Sequence, residues 1–122
     1  MPDAQRPVIA HVLHRLYLAG AEVLAAALSR RLRDRFNFLF LCLDEIGPLG
    51  EQLAGEGFTV VDLQRKPGVD RQVPRRIRRI IREQNVRLLH AHQYTPFFYA
   101  SASRGMWGLL RSRPRVLFTE HG

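Results

Sequence analysis

Val8-Ile9-Ala10-His11-Val12-Leu13 is a short, continuous apolar run, and Gly20 opens a stretch of different period after it. A run that is apolar at successive rather than alternate positions reads as a strand covered on both faces. Beyond Gly20, the residues Ala21, Leu24, Leu28 and Leu32 recur at three- and four-residue spacing, while Arg30, Arg33 and Asp34 fall on other faces. That spacing predicts a helix that turns the four apolar positions inward. Phe36 to Leu43 is again almost wholly apolar, a second strand covered on both faces. Strand, helix and strand in this order make a parallel pair joined by a crossover, the repeating unit of an α/β fold.

The same alternation continues outward. Gly47-Pro48 breaks the chain, Leu49 to Glu56 forms a short helix closed by Gly57, and Phe58 to Leu63 is a third strand. A polar loop with Pro67-Gly68 leads to a helix over Gln72–Gln84, set by the spacing of Val73, Ile77, Ile80 and Ile81. Pro74 falls in its first turn, where a missing N–H matters least. Val86 to His90 is a fourth strand, Thr95 to about Leu110 a helix weakened by Gly105 and Gly108, and Val116 to Thr119 a fifth strand. The expected fold is one Rossmann-like domain over residues 1–122: an open parallel sheet of five strands in order 3-2-1-4-5, with helices on both faces. Ligands of such sheets bind beyond the carboxyl ends of the strands. Three segments reach that edge: His14 to Gly20, His90 to Pro96, and Thr119 to Gly122.

The composition suits a single packed core. The 122 residues are 46% hydrophobic and 25% charged, with a net charge of +8. The single cysteine, Cys42, excludes an internal disulfide and lies within the second apolar run, where an inert buried thiol is expected. Met1 to Pro7 has no long apolar core and does not read as a secretory leader, and no stretch approaches the ~18 apolar residues of a membrane span, so a cytoplasmic location is expected, peripheral on the inner face of the membrane if lipid is bound.

The first loop holds one glycine where a dinucleotide fingerprint needs three. A P-loop, a serine nucleophile elbow and a receiver-type acidic pair are absent as well. His90-Ala91-His92 invites a metal reading with His11, His14 or His121. The preferred expectation is without metal: His11 satisfied in the core, His90 hydrogen-bonded beneath the sheet edge, and His92 standing in the cleft.

Four segments in register resemble a known family. Leu18-Ala19-Gly20-Ala21-Glu22, Gly47-Pro48-Leu49, Leu88-Leu89-His90-Ala91-His92 and Thr119-Glu120-His121-Gly122 are similar to the Gly-Gly-Ala-Glu, Gly-x-Leu, His-x-His and Thr-x-His-Gly segments of retaining glycosyltransferases with the two-domain GT-B fold. Ala19 stands where that family has its first glycine. The resemblance implies transfer of a sugar from a sugar nucleotide to a glycan or lipid-linked acceptor, with no further cofactor. It assigns Ala19, Gly20 and Ala21 to a loop approached by the donor diphosphate, where helix N–H groups and the macrodipole favour negative charge. It makes His121 the catalytic histidine facing the reacting sugar, and His92 and Tyr94 acceptor-side residues. Glu22 is read as structural. The family's two glutamates, separated by seven residues in a C-terminal donor-binding domain, have no counterpart here. The expectation is therefore an N-terminal, acceptor-side domain that is inactive without the donor-binding half.

Charge is concentrated between Arg71 and Arg87, where seven arginines meet one acid, Glu83. Arg75, Arg78, Arg79 and Arg82 gather opposite the isoleucines. Such a face is either simply solvated or an electrostatic contact for an anionic membrane, worth ~1 kcal/mol per cation near acidic lipid. Nucleic acid is not expected, for the stretch lacks interleaved aromatic residues. The alternative to an enzyme domain is a non-enzymatic basic module binding membrane or nucleic acid.

Overall fold

The computed structural model describes residues 6–18, 20–105 and 114–120. Their order is β1 (Val8–Arg15), α1 (Gly20–Leu32), β2 (Asn37–Glu45), α2 (Gly47–Gly55), β3 (Thr59–Asp62), α3 (Gln72–Gln84), β4 (Val86–His92), α4 (Tyr94–Gly105) and β5 (Arg115–Thr119). All pairings are parallel, and the sheet runs β3-β2-β1-β4-β5, as the alternation of periods predicts. β1, β2 and β4 each run two residues beyond their expected ends. Part of the last helix expected, toward Leu110, lies outside the described residues, as do Ala19, His121 and Gly122. Among the described residues no helix is long and apolar enough to cross a membrane.

Local chemistry explains where the helices stop. Gly57 takes φ +100° just past α2, and Asn85 takes φ 55° at the end of α3, where its N–H donates to the Ile81 carbonyl. α3 begins at a cap that the periodicity does not announce. Asp70 Oδ1 accepts the Gln72 N–H at 2.9 Å and Oδ2 accepts the Lys66 N–H at 2.9 Å. Those backbone donors hold its carboxyl below the usual carboxylate range.

Alternate residues of each strand enter two different cores. Ala10, Val12, Leu39, Leu41, Leu89 and Ala91 pack with Val73, Ile77 and Ile81 of α3 and Tyr99 of α4. Leu13, Phe38, Phe40 and Cys42 pack on the opposite face with Ala25 and Ala26 of α1 and Leu49 and Leu53 of α2.

On this second face the structure corrects the expected orientation of α1. Leu24 and Leu28 are exposed, Ala21 and Leu32 are half-buried, and the residues turned fully inward are Ala25, Ala26 and Ser29. The helix is rotated by about one residue, ~100°, from the face that its large apolar side chains define. The space beneath is already filled by rings: His11 stacks on Phe38 at 5.5 Å and on Phe40 at 5.1 Å between centroids. Small residues let the helix approach these rings, and a hydroxyl meets the imidazole.

Candidate functional site

Because the strands are parallel, Arg15, Glu45, His92 and Thr119 close their strands on one edge of the sheet. The loops after β1 and β2 are stitched together there. The Leu16 N–H donates to the Ile46 carbonyl at 3.1 Å, and the Leu49 N–H donates to the Leu16 carbonyl at 3.0 Å. Gly47 makes this approach possible. It holds φ +75°, and a Cβ at that position would collide with the Leu16 carbonyl oxygen. The Glu22 carboxylate reaches back from α1 to accept the Tyr17 N–H at 3.1 Å, the structural role expected of it. The Tyr17 hydroxyl in turn donates to Glu45 at 2.7 Å.

Gly20 is different. It opens α1, it is exposed, and a Cβ added to it would have nothing within 4 Å. Among the described residues nothing requires glycine at that position. Ala21 beside it is half-buried, and Ala19 lies outside the described residues.

Three histidines share the α1 side of the sheet just beneath the rim. His11 on β1 is registered opposite His90 on β4, and His92 follows two residues later on the same face. His11 is completely buried. Its Nδ1 lies 3.0 Å from His92 Nε2, and its Nε2 lies 2.9 Å from the Ser29 hydroxyl. The His90 and His92 rings stack at 4.1 Å, and His90 Nε2 lies 2.8 Å from the Thr119 hydroxyl. Burial, followed by the neighbouring His92 and His90, pushes the His11 pKa well below its ordinary value, so the imidazole is neutral.

The satisfied core histidine expected at position 11 and the hydrogen-bonded one at position 90 are therefore in place. His92 departs from expectation: its ring is buried against His11 rather than open in the cleft, because the strand alternation turns it to the same face of the sheet as His11 and His90. Tyr94, at the start of α4, is exposed at the rim. The Gln93 N–H donates to the Thr119 carbonyl at 2.9 Å and ties the ends of β4 and β5 together. His121 follows that tie but lies outside the described residues.

On the other side of the rim, Asp44 at the end of β2 takes a two-pronged contact from Arg65 at 2.8 and 3.1 Å and lies 3.4 Å from His14 Nδ1. Burial alone would raise its pKa, but hydrogen bonds from Arg65 and His14 outweigh that and hold the carboxyl below its ordinary value. Between the loop after β3 and α4 is a recess of about 350 Å³, lined by Val69, Pro74, Phe98 and Tyr99 with Arg71 and Arg75. A larger recess, of about 470 Å³, lies among Arg6, Val8, Asn37 and Phe58 at the amino ends of the strands, away from the rim.

The outer face of α3 presents Arg75, Arg79 and Arg82 to solvent, as the periodicity predicts. Arg78 is half-buried and one of its terminal nitrogens is enclosed without a hydrogen-bond partner, whereas Arg76 turns inward to the Leu63 and Gln64 carbonyls. Cys42 is buried, and burial pushes its thiol up to about 12, in keeping with an inert core residue.

The residues missed by sequence reasoning are those defined by loop-to-loop contact. Tyr17, Glu45 and Asp70 belong to this group, and only Asp70, two residues before a helical period, carried a readable capping signal. Comparison with known proteins gives one family match, to Glycosyltransferase Family 4, over residues 18–122. No curated protein matches the chain.

Proposed function

From the membership of this chain in Glycosyltransferase Family 4, we propose that it is the acceptor-side domain of a retaining GT-B enzyme that transfers a sugar from a sugar nucleotide to a glycan or lipid-linked acceptor. The observation that carries this reading is the open first turn of α1 at Gly20, on the edge where β1, β4 and β5 all end. An unobstructed helix N-terminus lets a diphosphate approach backbone N–H groups, and the dipole favours its charge. His121, which follows β5 in the chain, is the residue proposed to face the reacting sugar, and Tyr94, exposed at the rim, is proposed to meet the acceptor. The donor is held mainly by a second, C-terminal domain.

The test is transfer by this domain joined to its donor-binding partner. Gly20→Val should lower turnover by on the order of 100-fold while leaving the domain folded, since a Cβ there has nothing within 4 Å among the described residues. Wild-type turnover would remove the diphosphate loop from the proposal. NMR of the product should show the anomeric configuration of the donor; inversion would reject the retaining assignment.

A second reading concerns where the enzyme works. Arg75, Arg79 and Arg82 are exposed on α3, and exposed Val69, Tyr94 and Phe98 stand on the neighbouring loop and helix. This combination supports peripheral attachment to an anionic membrane surface on the cytoplasmic side. Replacing Arg75, Arg78, Arg79 and Arg82 by glutamine should weaken co-sedimentation with acidic vesicles and remove its salt dependence. Equal binding of the variant, or none by the wild type, would overturn the reading. Vesicle binding without any transfer by the joined domains would favour a non-enzymatic module instead.

A further inference from the structure

We propose that His11, His90 and His92 form a binding site for one divalent d-block cation such as zinc, at the junction of β1 and β4. One ring nitrogen from each of the three lies within 4.8 Å of the other two. A tetrahedral zinc ion with Zn–N bonds of ~2.0–2.1 Å places its ligand nitrogens about 3.4 Å apart. His11 Nδ1 and His92 Nε2, at 3.0 Å, are already near that separation. The half-buried His90 ring supplies the third nitrogen, within 4.8 Å of the other two.

The surroundings match what a histidine ligand set requires. Rings that ligate a metal are oriented by a hydrogen bond at the second nitrogen. The Ser29 hydroxyl holds Nε2 of His11, and the Thr119 hydroxyl holds Nε2 of His90. The cluster contains imidazoles and no carboxylate, a donor set that favours zinc or cobalt over magnesium or calcium. Three protein ligands leave a fourth position for water or an anion. A bound cation would tie β1 to β4 at the rim and place positive charge beneath the proposed ligand edge. The site does not depend on the sugar-transfer reading and stands or falls separately.

The experiment is titration of the purified chain with Co²⁺, followed by visible absorption, and competition with Zn²⁺. Saturation at one equivalent is expected, with the strong visible bands of four-coordinate cobalt, displacement by zinc, and a higher Tm in zinc than in chelator. His90→Gln and His92→Gln should each abolish the bands, and Ser29→Ala should weaken binding by about tenfold. His14→Gln, at a histidine outside the cluster, should leave binding unchanged. Circular dichroism of each variant shows whether it is folded. If His92→Gln unfolds, the half-buried His90→Gln and the wild-type titration decide the question. Absence of a saturable band in the wild type, or undiminished affinity in folded His90→Gln, would show the cluster to be a hydrogen-bonded network only and overturn the proposal.

Discussion

The two faces of this sheet are held by different physics. Beneath α3 and α4, Val73, Ile77 and Ile81 interlock with Leu41, Leu89 and Tyr99, and the helix buries the side chains that its periodicity marks as apolar. Beneath α1 the helix offers Ala25, Ala26 and Ser29 to a layer of rings, while Leu24 is 61% and Leu28 41% exposed. The first face is secured by apolar burial, which is non-directional and tolerant of small shifts. On the second, buried polar groups must find partners at fixed distances, and the helix sits where its small residues fit the rings and Ser29 meets the imidazole, against the preference of its large side chains. The directional face is also the one whose histidines lie under the proposed ligand edge.

The sharpest way to break this contrast is to truncate each face in turn. Ile77→Ala should lower the unfolding free energy by about 2–5 kcal/mol, the range for large-to-small changes in a packed core, measured by urea denaturation. A loss below about 1 kcal/mol would mean that the α3 face is no better packed than its opposite. Ser29→Ala removes a single oxygen, yet it strands Nε2 of a completely buried histidine. The expected loss is about 1–3 kcal/mol. A neutral result would show that the Ser29 hydroxyl does not hold α1 in its observed rotation.

The contrast also explains what could be read from the sequence. Strand order and the bounds of α3 were legible, because the isoleucines at 77, 80 and 81 and the continuous apolar strands report burial on a regular period. The rotation of α1 was not. Periodicity counts apolar side chains, and here the competing term was the fit of small residues against His11, Phe38 and Phe40 from strands distant in sequence. At the rim, His-x-His and the closing Thr119 were visible as motifs. The bond between His11 and His92 joins residues 81 positions apart, and only the sheet register reveals it. The burial of His92 was missed for the same reason, since a pair of histidines on a strand does not say which helix lies above them.

Two smaller effects refine the comparison. Asp44 lies at the rim with its carboxyl held below its ordinary pKa by Arg65 and His14. A depressed folded-state value means that its contribution is complete above the unfolded carboxylate value of ~3.9 and fades as pH falls through the folded value. Asp44→Asn should therefore be less stable than wild type at neutral pH by about 1 kcal/mol, with the gap closing below about pH 4. A gap that persists unchanged at pH 3 would mean that charge is not what holds Arg65.

The smallest expected effect tests the contrast most directly. Leu24→Ser should change stability by no more than about 0.5 kcal/mol, as for surface sites without special contacts. Leu24 is 61% exposed, so its truncation removes little buried area and creates no cavity, whereas the same chemistry at Ile77 removes a filled site. A loss of about 2 kcal/mol or more in the same urea experiment would show Leu24 to be buried in solution. α1 would then be rotated by ~100° to the face its periodicity favours, carrying Ser29 away from His11. The histidine cluster would lose its outer hydrogen bond, and the α1 face would become a second apolar interface like that of α3.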